Sequence, residues 1–349
     1  MASTIIDVAK LAGVSRQTVS RVLNTPHLVK PETLELVNRA MAMLDYHPNV
    51  SARSLVMKTT KAIGLFMPFS TEQVRQNMFF STLTSVLCHY MPQHDFVLQL
   101  FTASAGENYS EMFKRLYREK RVGGYIITCP ALNIKEILEL TREGVPYVLI
   151  GRPAVEMEGV NYVDGDNRQA GYLAAKKAIE YGHRNIAFLN APESMTMAED
   201  LREGIARAVS ESGEDDIRIR EIHTDLTMQS AMKHARDCIG ADAPTLFLTA
   251  DDLLAFGVMR AANELGFPTP ERISVVSMSA SGWDEYAEKP LSRSEHDIAS
   301  LGTIAADYLI KTIMQGPQEP LHEVLPVHYV EGGTCANLFA ATNSRGNER

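Results

Sequence analysis

The sequence predicts a small all-α headpiece followed by an α/β body built from two doubly wound parallel sheets. Two observations support this fold class. Residues 4–24 have the capping residues and apolar spacing of two short helices joined by a tight turn, a helix-turn-helix. From residue 62 onward, short β-type apolar runs alternate with longer helical stretches. That alternation is typical of parallel strands whose sheet is covered by helices on both faces.

The first helix of the headpiece should begin at a capping box. Thr4 precedes Asp7 by three residues, so the Thr4 hydroxyl and the Asp7 carboxylate can each satisfy a backbone N–H of the first turn. Gly13 follows the last apolar residue and supplies the left-handed backbone of a tight turn at little cost. We expect the inward positions of this helix to be Val8, Leu11 and Ala12.

The second helix should have a buried side and an exposed polar side. Ser15 is its expected N-cap. Apolar residues recur within it at spacings of three and four, which turns one side inward. These inward residues are Val19, Val22 and Leu23. The polar side chains left outside are Arg16, Gln17, Ser20 and Arg21.

That exposed side carries groups able to distinguish base pairs. Arginine can donate two hydrogen bonds to guanine, and glutamine can pair with adenine. The alternative is a solvated polar surface, which would explain any one of these side chains taken singly. The helix-turn-helix arrangement favours DNA, because this motif lays its second helix in the major groove. We therefore expect Arg16, Gln17 and Arg21 to contact bases.

A third helix and a short linker should complete the N-terminal region. Pro31 suits the first position of a helix, and the segment Tyr46-His47-Pro48 should end it. Residues 49–57 are amphipathic but too few to hold a helix alone in water. They fit a linker that becomes ordered on a partner. The expected inner stripe of the third helix is Leu34, Val37, Met41 and Leu44.

The N-terminal string closely resembles that of the LacI/GalR family of bacterial repressors. That family opens with the pattern Ile-x-Asp-Val-Ala-x-x-Ala-Gly-Val-Ser-x-x-Thr-Val-Ser-Arg. The resemblance implies that the polar residues around the second helix touch DNA phosphates, which position the protein without specifying sequence. We expect these phosphate contacts from Thr4, Ser15, Thr18, Ser20 and Asn24. The pattern is matched at Ile5, Asp7, Val8, Ala9, Ala12, Gly13, Val14, Ser15, Thr18, Val19, Ser20 and Arg21.

The linker matches the same family's hinge. Its P-N-x-x-A-R-x-L pattern is met by Pro48 together with Asn49, Ala52, Arg53 and Leu55. In the family this segment folds into a short helix on DNA, pairs with its dimer mate and inserts a leucine into the minor groove. The resemblance implies these roles here, with Leu55 as an apolar wedge that kinks the duplex. A plain linker, with Leu55 covering the body, is the alternative.

The body should contain strands and helices in alternation. Because ligands in doubly wound folds bind at the carboxyl ends of the strands, two such sheets in tandem predict a cleft between their strand ends. The expected strands are 62–68, 96–101, 123–130, 146–151, 185–192, 217–223, 244–250 and 273–279. The expected helices are 79–91, 109–121, 134–143, 167–182, 198–212, 228–240 and 252–265.

The body also resembles the core of this family, which is similar to periplasmic sugar-binding proteins. The resemblance rests on residues 160–189 and 251–276 and extends to about residue 340. It implies a headpiece over 1–48, a hinge and linker over 49–61, and an effector-binding and dimerisation domain over 62–340. The chain should cross between subdomains near 160–163, 289–292 and 322–326. Residues 335–349 have no leucine heptad, which favours a dimer, and residues 341–349 are expected to form a disordered tail.

The family's usual effector-contacting residues are only partly present. Leu201 stands where an R-x-x-G-F arginine is usual, and Arg202, one step later, points about 100° away on a helix. Ser279 stands where an aspartate commonly ends a strand, and Asp251 precedes Asp252 where an Asn-Asp pair is frequent. A sugar pocket built from that arginine and aspartate is therefore not expected: either the ligand is not a plain sugar, or its polar contacts come from other residues. The candidate effector contacts are Asp251, Ser279, Trp283 and His296, with core or interface packing as the alternative for Trp283.

Metal and catalytic sites are less well supported than capping roles. Asp164, Asp166 and Asn167 resemble a metal loop but lack further oxygen ligands at fixed offsets, so we expect Asp166 to cap a helix. Asp251 and Asp252 could be paired acid/base carboxylates, but no nucleophile or phosphate-binding motif accompanies them. We expect no cofactor, no metal and no enzymatic activity.

Charge and cysteine usage fit a DNA-binding unit joined to a sensor. Residues 1–61 hold eight Lys/Arg and four Asp/Glu, whereas the whole chain has a net charge of −9. A basic head on an acidic body favours nucleic acid as the partner of the head only. Cys88, Cys129, Cys238 and Cys335 lack metal-site or redox spacing, which suggests reduced thiols in the cytoplasm. No apolar run reaches the ~20 residues of a membrane span.

Three function classes remain to be distinguished. The first is a DNA-binding transcriptional regulator that, as a homodimer, binds a near-palindromic operator and is gated by a small effector such as a sugar, a sugar phosphate or a related metabolite. The resemblance implies repression, although activation is compatible with the same motifs. The second is a carrier-type binding protein without DNA function, and the third is an enzyme. The headpiece favours the first class. Salt-dependent, sequence-specific binding to duplex DNA would distinguish this class from the other two.

Overall fold

The computed structural model of the protein describes residues 3–25, 28–46, 60–103, 108–128, 134–155, 158–279 and 288–340. The chain divides into two compact units, Met1–Lys61 and Ala62–Arg349. We call the first unit the headpiece and the second the body.

Three helices form the headpiece and bury a small apolar core. Its helices are α1 (Ile5–Ala12), α2 (Arg16–Asn24) and α3 (Pro31–Met43). All three were expected from the sequence, including the start of α3 at its proline. Their buried side chains are Val8, Ala9, Val19, Val22, Val37 and Ala40.

One expected core position of α1 is wrong. Leu11 is 47% exposed, whereas Ile5 and Ala12 pack against the core. Residues 5, 8, 9 and 12 share one side of a helix with 3.6 residues per turn, and Leu11 lies about 100° away from Ala12. The buried face of α1 therefore consists of residues 5, 8, 9 and 12 and does not include Leu11.

The first sheet of the body has six strands in the order β11-β5-β4-β3-β1-β2, all parallel. Apolar clusters cover both of its faces, as expected for a parallel sheet between helices. Its strands are β1 (Ala62–Met67), β2 (Val97–Thr102), β3 (Gly124–Thr128), β4 (Tyr147–Ile150), β5 (Tyr162–Gly165) and β11 (His322–Leu325). The helices between them are α4 (Thr71–Gln76), α5 (Met78–Gln93), α6 (Tyr109–Arg118) and α7 (Ile134–Arg142).

The second sheet repeats this architecture in the order β12-β10-β9-β8-β6-β7, with only β12 antiparallel to its neighbour. One large apolar cluster surrounds it. Its strands are β6 (Asn185–Asn190), β7 (Arg218–His223), β8 (Leu246–Thr249), β9 (Ser274–Ser277), β10 (Ser292–Glu295) and β12 (His328–Val330). The remaining helices are α8 (Asn167–Glu180), α9 (Thr196–Ser212), α10 (Met228–Cys238), α11 (Asp252–Glu264) and α12 (Ile298–Gln315).

The chain passes between the two sheets three times. It leaves the first sheet after β5, returns to it between β10 and α12, and leaves again between β11 and β12. The expected positions near 160–163, 289–292 and 322–326 overlap the strands that precede these passages. A chain can change sheets only after a strand has ended, so the passages follow at 165–167, 295–298 and 325–328.

Neither membrane spans nor metal clusters are found in the part of the chain that the structure describes. None of the described helices is long and apolar enough to cross a bilayer. Within the same residues, no group of three or more His, Cys, Asp or Glu side chains could hold a metal ion. Cys88, Cys238 and Cys335 are free thiols, and Cys129 lies outside the described residues.

Candidate nucleic-acid interface and ligand cleft

Helix α2 is fixed at its start by the turn that the sequence predicted. Gly13 has φ +67°, the left-handed conformation that ends α1. The Ser15 hydroxyl then accepts a hydrogen bond from the Thr18 backbone N–H at 3.1 Å. At the start of α1, Thr4 and Asp7 form the expected capping box. These local bonds hold α1 and α2 at the turn without using the outer face of α2.

The outer face of α2 presents Arg16, Gln17 and Arg21 to solvent. On its inner face, Val19 is fully buried and Val22 nearly so. No described acidic side chain forms an ion pair with either arginine. Two exposed guanidinium groups and an amide on one face of a helix can form hydrogen bonds to base edges. The predicted base-contacting residues therefore lie together on one surface.

The expected phosphate-contacting residues lie around the same helix. Ser15 and Thr18 bond each other through their hydroxyls at 2.9 Å, and Thr4 donates its hydroxyl to Asp7 at 2.7 Å. Because Thr4 donates two hydrogen bonds to the carboxylate, the pKa of Asp7 is lowered. Ser20 is partly buried, and Asn24 is the last residue of α2.

Several predicted residues lie outside the described part of the chain. These are the hinge positions Asn49, Ala52, Arg53 and Leu55, the effector candidate Trp283, and the tail over 341–349. Their roles stay predictions from the sequence.

The cleft of the body lies where the carboxyl ends of strands from both sheets meet. Asn77, which starts α5 beyond β1, points its amide nitrogen at the Asp251 carboxylate beyond β8, 3.5 Å away. Gly165, the last residue of β5, lies against the His296 ring beyond β10, and a Cβ there would come within 2.0 Å of Nδ1. Residues from the ends of β1, β5, β8 and β10 are therefore brought together, as ligand binding between doubly wound sheets requires.

A third contact between the sheets is an ion pair that sequence reasoning missed. Arg152 follows β4, and its guanidinium donates to Asp200 of α9 at 2.7 Å from Nε and 2.5 Å from Nη2. The Thr196 hydroxyl donates to the Arg152 carbonyl at 2.9 Å, and Arg168 also pairs with Asp200 at 3.0 Å. The Asp200 side chain is only 4% exposed. No sequence signal joined these residues, because 48 positions separate Arg152 from Asp200.

Asp251 combines a capping role with an unusual electrostatic environment. It accepts a hydrogen bond from the Leu254 N–H at 2.9 Å and so caps α11, as expected. Burial and the neighbouring Asp252 carboxylate raise the pKa of Asp251 to about 7. Its second oxygen faces Asn77 across the cleft. Asp251 is therefore a predicted effector-contacting residue that is buried and directed at the opposite subdomain.

Ser279 and His296 lie close to the same strand ends. The Ser279 backbone bonds the Ser277 hydroxyl just beyond β9. His296 Nε2 is 3.2 Å from the Met278 carbonyl, which can only accept, so this nitrogen donates. Burial lowers the pKa of His296, which favours its neutral form. His296 thus fills the space between β5, β9 and β10.

Position 201 cannot act as the family's arginine does. The Leu201 side chain is fully buried in the core of the second sheet, and Arg202 is exposed, 4.0 Å from Glu221. Leu201 is thus a packing residue between two close helices. Helix α9 lies so near α8 that a Cβ on Gly171 would come within 2.4 Å of the Leu201 carbonyl.

The possible metal loop is a capping structure. The Asp166 carboxylate accepts from the Gln169 N–H at 2.8 Å and caps α8, as expected. Asp164 accepts from the N–H groups of Arg152 and Gly165, and burial raises its pKa to about 6. Both carboxylates are therefore used by the fold.

Comparisons with known proteins agree with this geometry. The profile described as bacterial regulatory proteins, lacI family, matches residues 4–49, and that of a periplasmic binding protein-like domain matches residues 175–335. The HTH-type transcriptional regulator CelR of Thermobifida fusca is 30% identical over 93% of this chain and 96% of its own. A CelR–cellobiose complex aligns with TM-score 0.70 at 29% identity, covering 95% of this chain and 99% of that one. The lac repressor dimer bound to operator and the anti-inducer ONPF aligns with TM-score 0.80 at 27% identity, covering 96% and 100%.

A helix-turn-helix with an exposed polar face, followed in the chain by a two-sheet body with a cleft, defines a DNA-binding regulator with a sensor domain. The chain belongs to the lacI family of bacterial regulatory proteins. It is a DNA-binding transcriptional regulator, and this family acts by binding rather than by catalysis. The matched headpiece also distinguishes it from carrier-type binding proteins.

Proposed function

We propose that the protein is a repressor that binds a near-palindromic operator as a homodimer. The observation that carries this proposal is the face of α2 on which Arg16, Gln17 and Arg21 are all exposed. The lac repressor, similar over nearly the whole chain, was solved as a dimer on its operator. Two identical headpieces related by a two-fold axis require two inverted half-sites. Because it acts on chromosomal DNA, the protein works in the cytoplasm.

Each headpiece divides its contacts into two kinds. The three exposed residues of α2 contact bases, while Thr4, Ser15, Thr18, Ser20 and Asn24 contact phosphates and set the orientation. The hinge residues Asn49, Ala52, Arg53 and Leu55 fold on DNA, where Leu55 parts a base step in the minor groove. Their sequence supports this, since nine residues cannot hold a helix without a partner.

A small-molecule effector in the cleft controls operator binding. Asp251, Ser279 and His296 come from the carboxyl ends of neighbouring strands, and we place Trp283 near them. CelR was solved with cellobiose, which favours a sugar-like compound. A ligand that changes the angle between the two subdomains would move the two hinges of a dimer relative to each other, and so permit or melt the hinge helices.

Selection of DNA from a random pool by the full chain tests the DNA proposal. We expect an inverted repeat, and an affinity that falls steeply with salt. Replacing Arg16, Gln17 and Arg21 together by Ala should abolish the sequence preference. Arg39→Ala is the matched control, because Arg39 is exposed on α3 and paired with Glu35. Selection of no consensus, or of a single unrepeated site, would rule the proposal out.

The effector proposal is tested separately with Ser279→Leu. A larger apolar side chain at the end of β9 should fill the cleft and block the response to a ligand found by thermal-shift screening. Operator affinity without ligand should equal that of the parent. A normal response in this variant would show that the ligand binds elsewhere.

A further inference from the structure

A group of exposed cations lies on the turn that leads from α6 into β3. Arg118 is the last residue of α6, and Lys120 and Arg121 follow it in the turn. All three side chains are exposed, and Glu119 is the acid among them. We call residues 118–121 the basic turn. The body as a whole holds more acids than bases, so this turn differs in charge from the domain around it.

The basic turn lies at the amino end of the first sheet, beside the start of β1. The Gly123 N–H donates to the Ala62 carbonyl at 2.7 Å, and β3 pairs with β1 directly beyond this bond. The Gln99 amide of β2 donates to the Arg121 carbonyl at 3.3 Å. Because Lys61 immediately precedes Ala62, the basic turn adjoins the point at which the linker enters the body.

Positive charge at this end of the first sheet is concentrated at β1 and β3. Lys61 leads into β1, and Lys120 and Arg121 lead into β3. The segments 94–96, 143–146 and 316–321, all of them described, lead from helices into β2, β4 and β11 and hold no lysine or arginine. Their acids are Asp95, Glu143 and Glu319. Arg142 ends α7 but is followed at once by Glu143. A polyanion is therefore attracted most strongly next to the linker.

Lys120 occupies a backbone position at which glycine is usual. Its φ is +55°, in the left-handed region where a Cβ is crowded. The Lys120 N–H donates to the Tyr117 carbonyl at 3.0 Å. The Arg121 N–H donates to the Leu116 carbonyl at 2.9 Å, which completes the helix end that glycine most often forms. Glycine would satisfy this backbone at lower steric cost, and an outlier of this kind motivates a functional role for the lysine side chain.

The acids next to the basic turn hold its arginines only weakly. Arg118 pairs with Glu143 at 2.6 Å, but the two side chains are 62% and 43% exposed. Arg121 and Glu119 are 3.9 Å apart, near the limit of an ion pair. Exposed pairs of this kind contribute little to stability. Both guanidinium groups can therefore turn to a phosphate at small cost.

The length of the linker brings the basic turn close to DNA. In the proposed operator complex the hinge, residues 49–57, lies in the minor groove. Ala62 follows Met57 by five residues, and an extended chain spans at most about 3.6 Å per residue. The start of β1 is therefore held within about 18 Å of the hinge. The phosphates on the two rims of that groove are the nearest charges of the duplex.

We infer that the basic turn binds phosphates of the operator backbone beside the hinge, so that the body contributes directly to DNA binding. This inference rests on the proposed function, because the hinge on DNA is what places the turn. The contacts are made to phosphates and not to bases, so they add affinity without sequence preference. Each contact also makes binding more sensitive to salt, because it releases a counterion from the duplex.

Operator binding by the full chain at a series of salt concentrations tests the inference. The variant Arg118→Gln/Lys120→Gln/Arg121→Gln removes three cations from each protomer. We expect it to select the same inverted repeat as the parent and to bind it at least about tenfold more weakly. The slope of log affinity against log salt should fall in magnitude by about 5 if all six cations of a dimer contact phosphates, at about 0.9 for each contact. An unchanged slope would overturn the inference.

Lys176→Gln/Arg218→Gln/Arg220→Gln is the matched control. It removes three exposed cations from α8 and β7, which belong to the second subdomain, and it should bind the operator as the parent does. An equal loss in both triple variants would show a general effect of net charge and overturn the inference. Failure of the parent itself to select an inverted repeat would overturn the proposed function. Normal selection with an unchanged slope in the basic-turn variant would overturn the inference alone.

Lys120→Gly separates a role in binding from a role in folding. Glycine removes the crowded Cβ at φ +55°, so the melting temperature of the body should stay the same or rise. Operator affinity should fall about threefold or more, because a dimer loses two phosphate contacts. Unchanged operator affinity would overturn the assignment of Lys120 to the DNA-binding surface.

Ethylation of single phosphates locates the contacts on the duplex. Some phosphates should weaken binding of the parent when ethylated but leave binding of the basic-turn variant unchanged. We expect these phosphates beside the central base pairs, between the two half-sites, where the hinges bind. If they lay within the half-sites, the basic turn would act through the headpiece, and a direct contact of the body with DNA would be ruled out.

Discussion

Arg152 and Asp200 form a two-bond ion pair that joins the end of β4 to α9 across the cleft of the body. The carboxylate is almost fully buried and the guanidinium is 22% exposed. A charged pair in this position holds the two subdomains in one arrangement, and any motion that opens this side of the cleft must break it.

Arg152→Met should therefore lower the free energy of unfolding of the body. It leaves Asp200 with Arg168 alone, and removing one member of a buried pair costs about 3 kcal/mol or more. Thermal and urea unfolding of the body measure the change. Arg118→Met is the control, because the Arg118–Glu143 pair is exposed and pairs of that kind are worth about 0–1 kcal/mol. Equal losses in the two variants would mean that the Arg152 pair has no special role.

Arg21→Ala should weaken binding to the operator and relax the choice of one base pair. The lost contact is expected to cost about 1–3 kcal/mol, because Arg21 lies exposed on the face of α2. Competition binding with operators changed at single positions measures it. If affinity falls equally for every sequence, Arg21 contacts a phosphate and not a base.

Asp251→Asn should change how stability depends on pH. The pKa of Asp251 rises from its ordinary 3.8 to about 7 in the folded protein. Between these values the folded state keeps a proton that the unfolded state has released, so stability falls as pH rises. Asparagine does not titrate, so the variant does not lose this part of its stability as pH rises. The melting temperature of the variant minus that of the parent should therefore increase from pH 4 to pH 8.

Asp297→Asn provides the control of opposite sign. Hydrogen bonds from Ser300 lower the pKa of Asp297, so this carboxylate stabilises the fold above its unfolded pKa. The melting temperature of Asp297→Asn relative to the parent should therefore fall as pH rises. The same trend in both variants would show that a general effect of charge, and not burial of Asp251, is being measured.

Gly165→Ala should destabilise the body by about 1–3 kcal/mol, the usual cost of overpacking. Its Cβ would lie 2.0 Å from His296 Nδ1, so the ring would have to move. The same substitution made in a His296→Ala background should cost at least about 1 kcal/mol less, because the opposing ring is gone. Additive effects in a double-mutant cycle, measured by urea unfolding, would show that this contact is not tight.

The elements that the sequence predicted are those with local signals. The capping box of α1, Gly13 and Pro31 lie within or beside the helices that they delimit, and the long apolar strands need no partner to be recognised. In contrast, β10 has the sequence SRSE and β11 the sequence HEVL. Neither is apolar, and both are strands because they pair with β9 and β5. Their existence depends on tertiary contacts that composition does not encode.

The sequence was enough to locate the cleft, but it did not show which side chains meet across it. Asp251 and Ser279 were found because they end apolar strands. The partners Asn77 and Arg152 were missed, since Asn77 is 174 positions from Asp251 and Arg152 is 48 from Asp200. His296 was expected beside a ligand, and the structure adds a packing role for it that only the approach of β5 reveals.

The three passages between the sheets set an order of assembly during synthesis. The second sheet needs residues 185–295 for all of its strands except β12, whereas the first sheet, begun at residue 62, lacks β11 until residues 322–325 are made. On the ribosome, the subdomain that starts first is therefore finished after most of the other. Until then β5 remains an uncovered edge strand, which is a site for pairing with a second nascent chain. Fast completion of the chain beyond residue 325 would shorten the time for which this edge is open to such pairing.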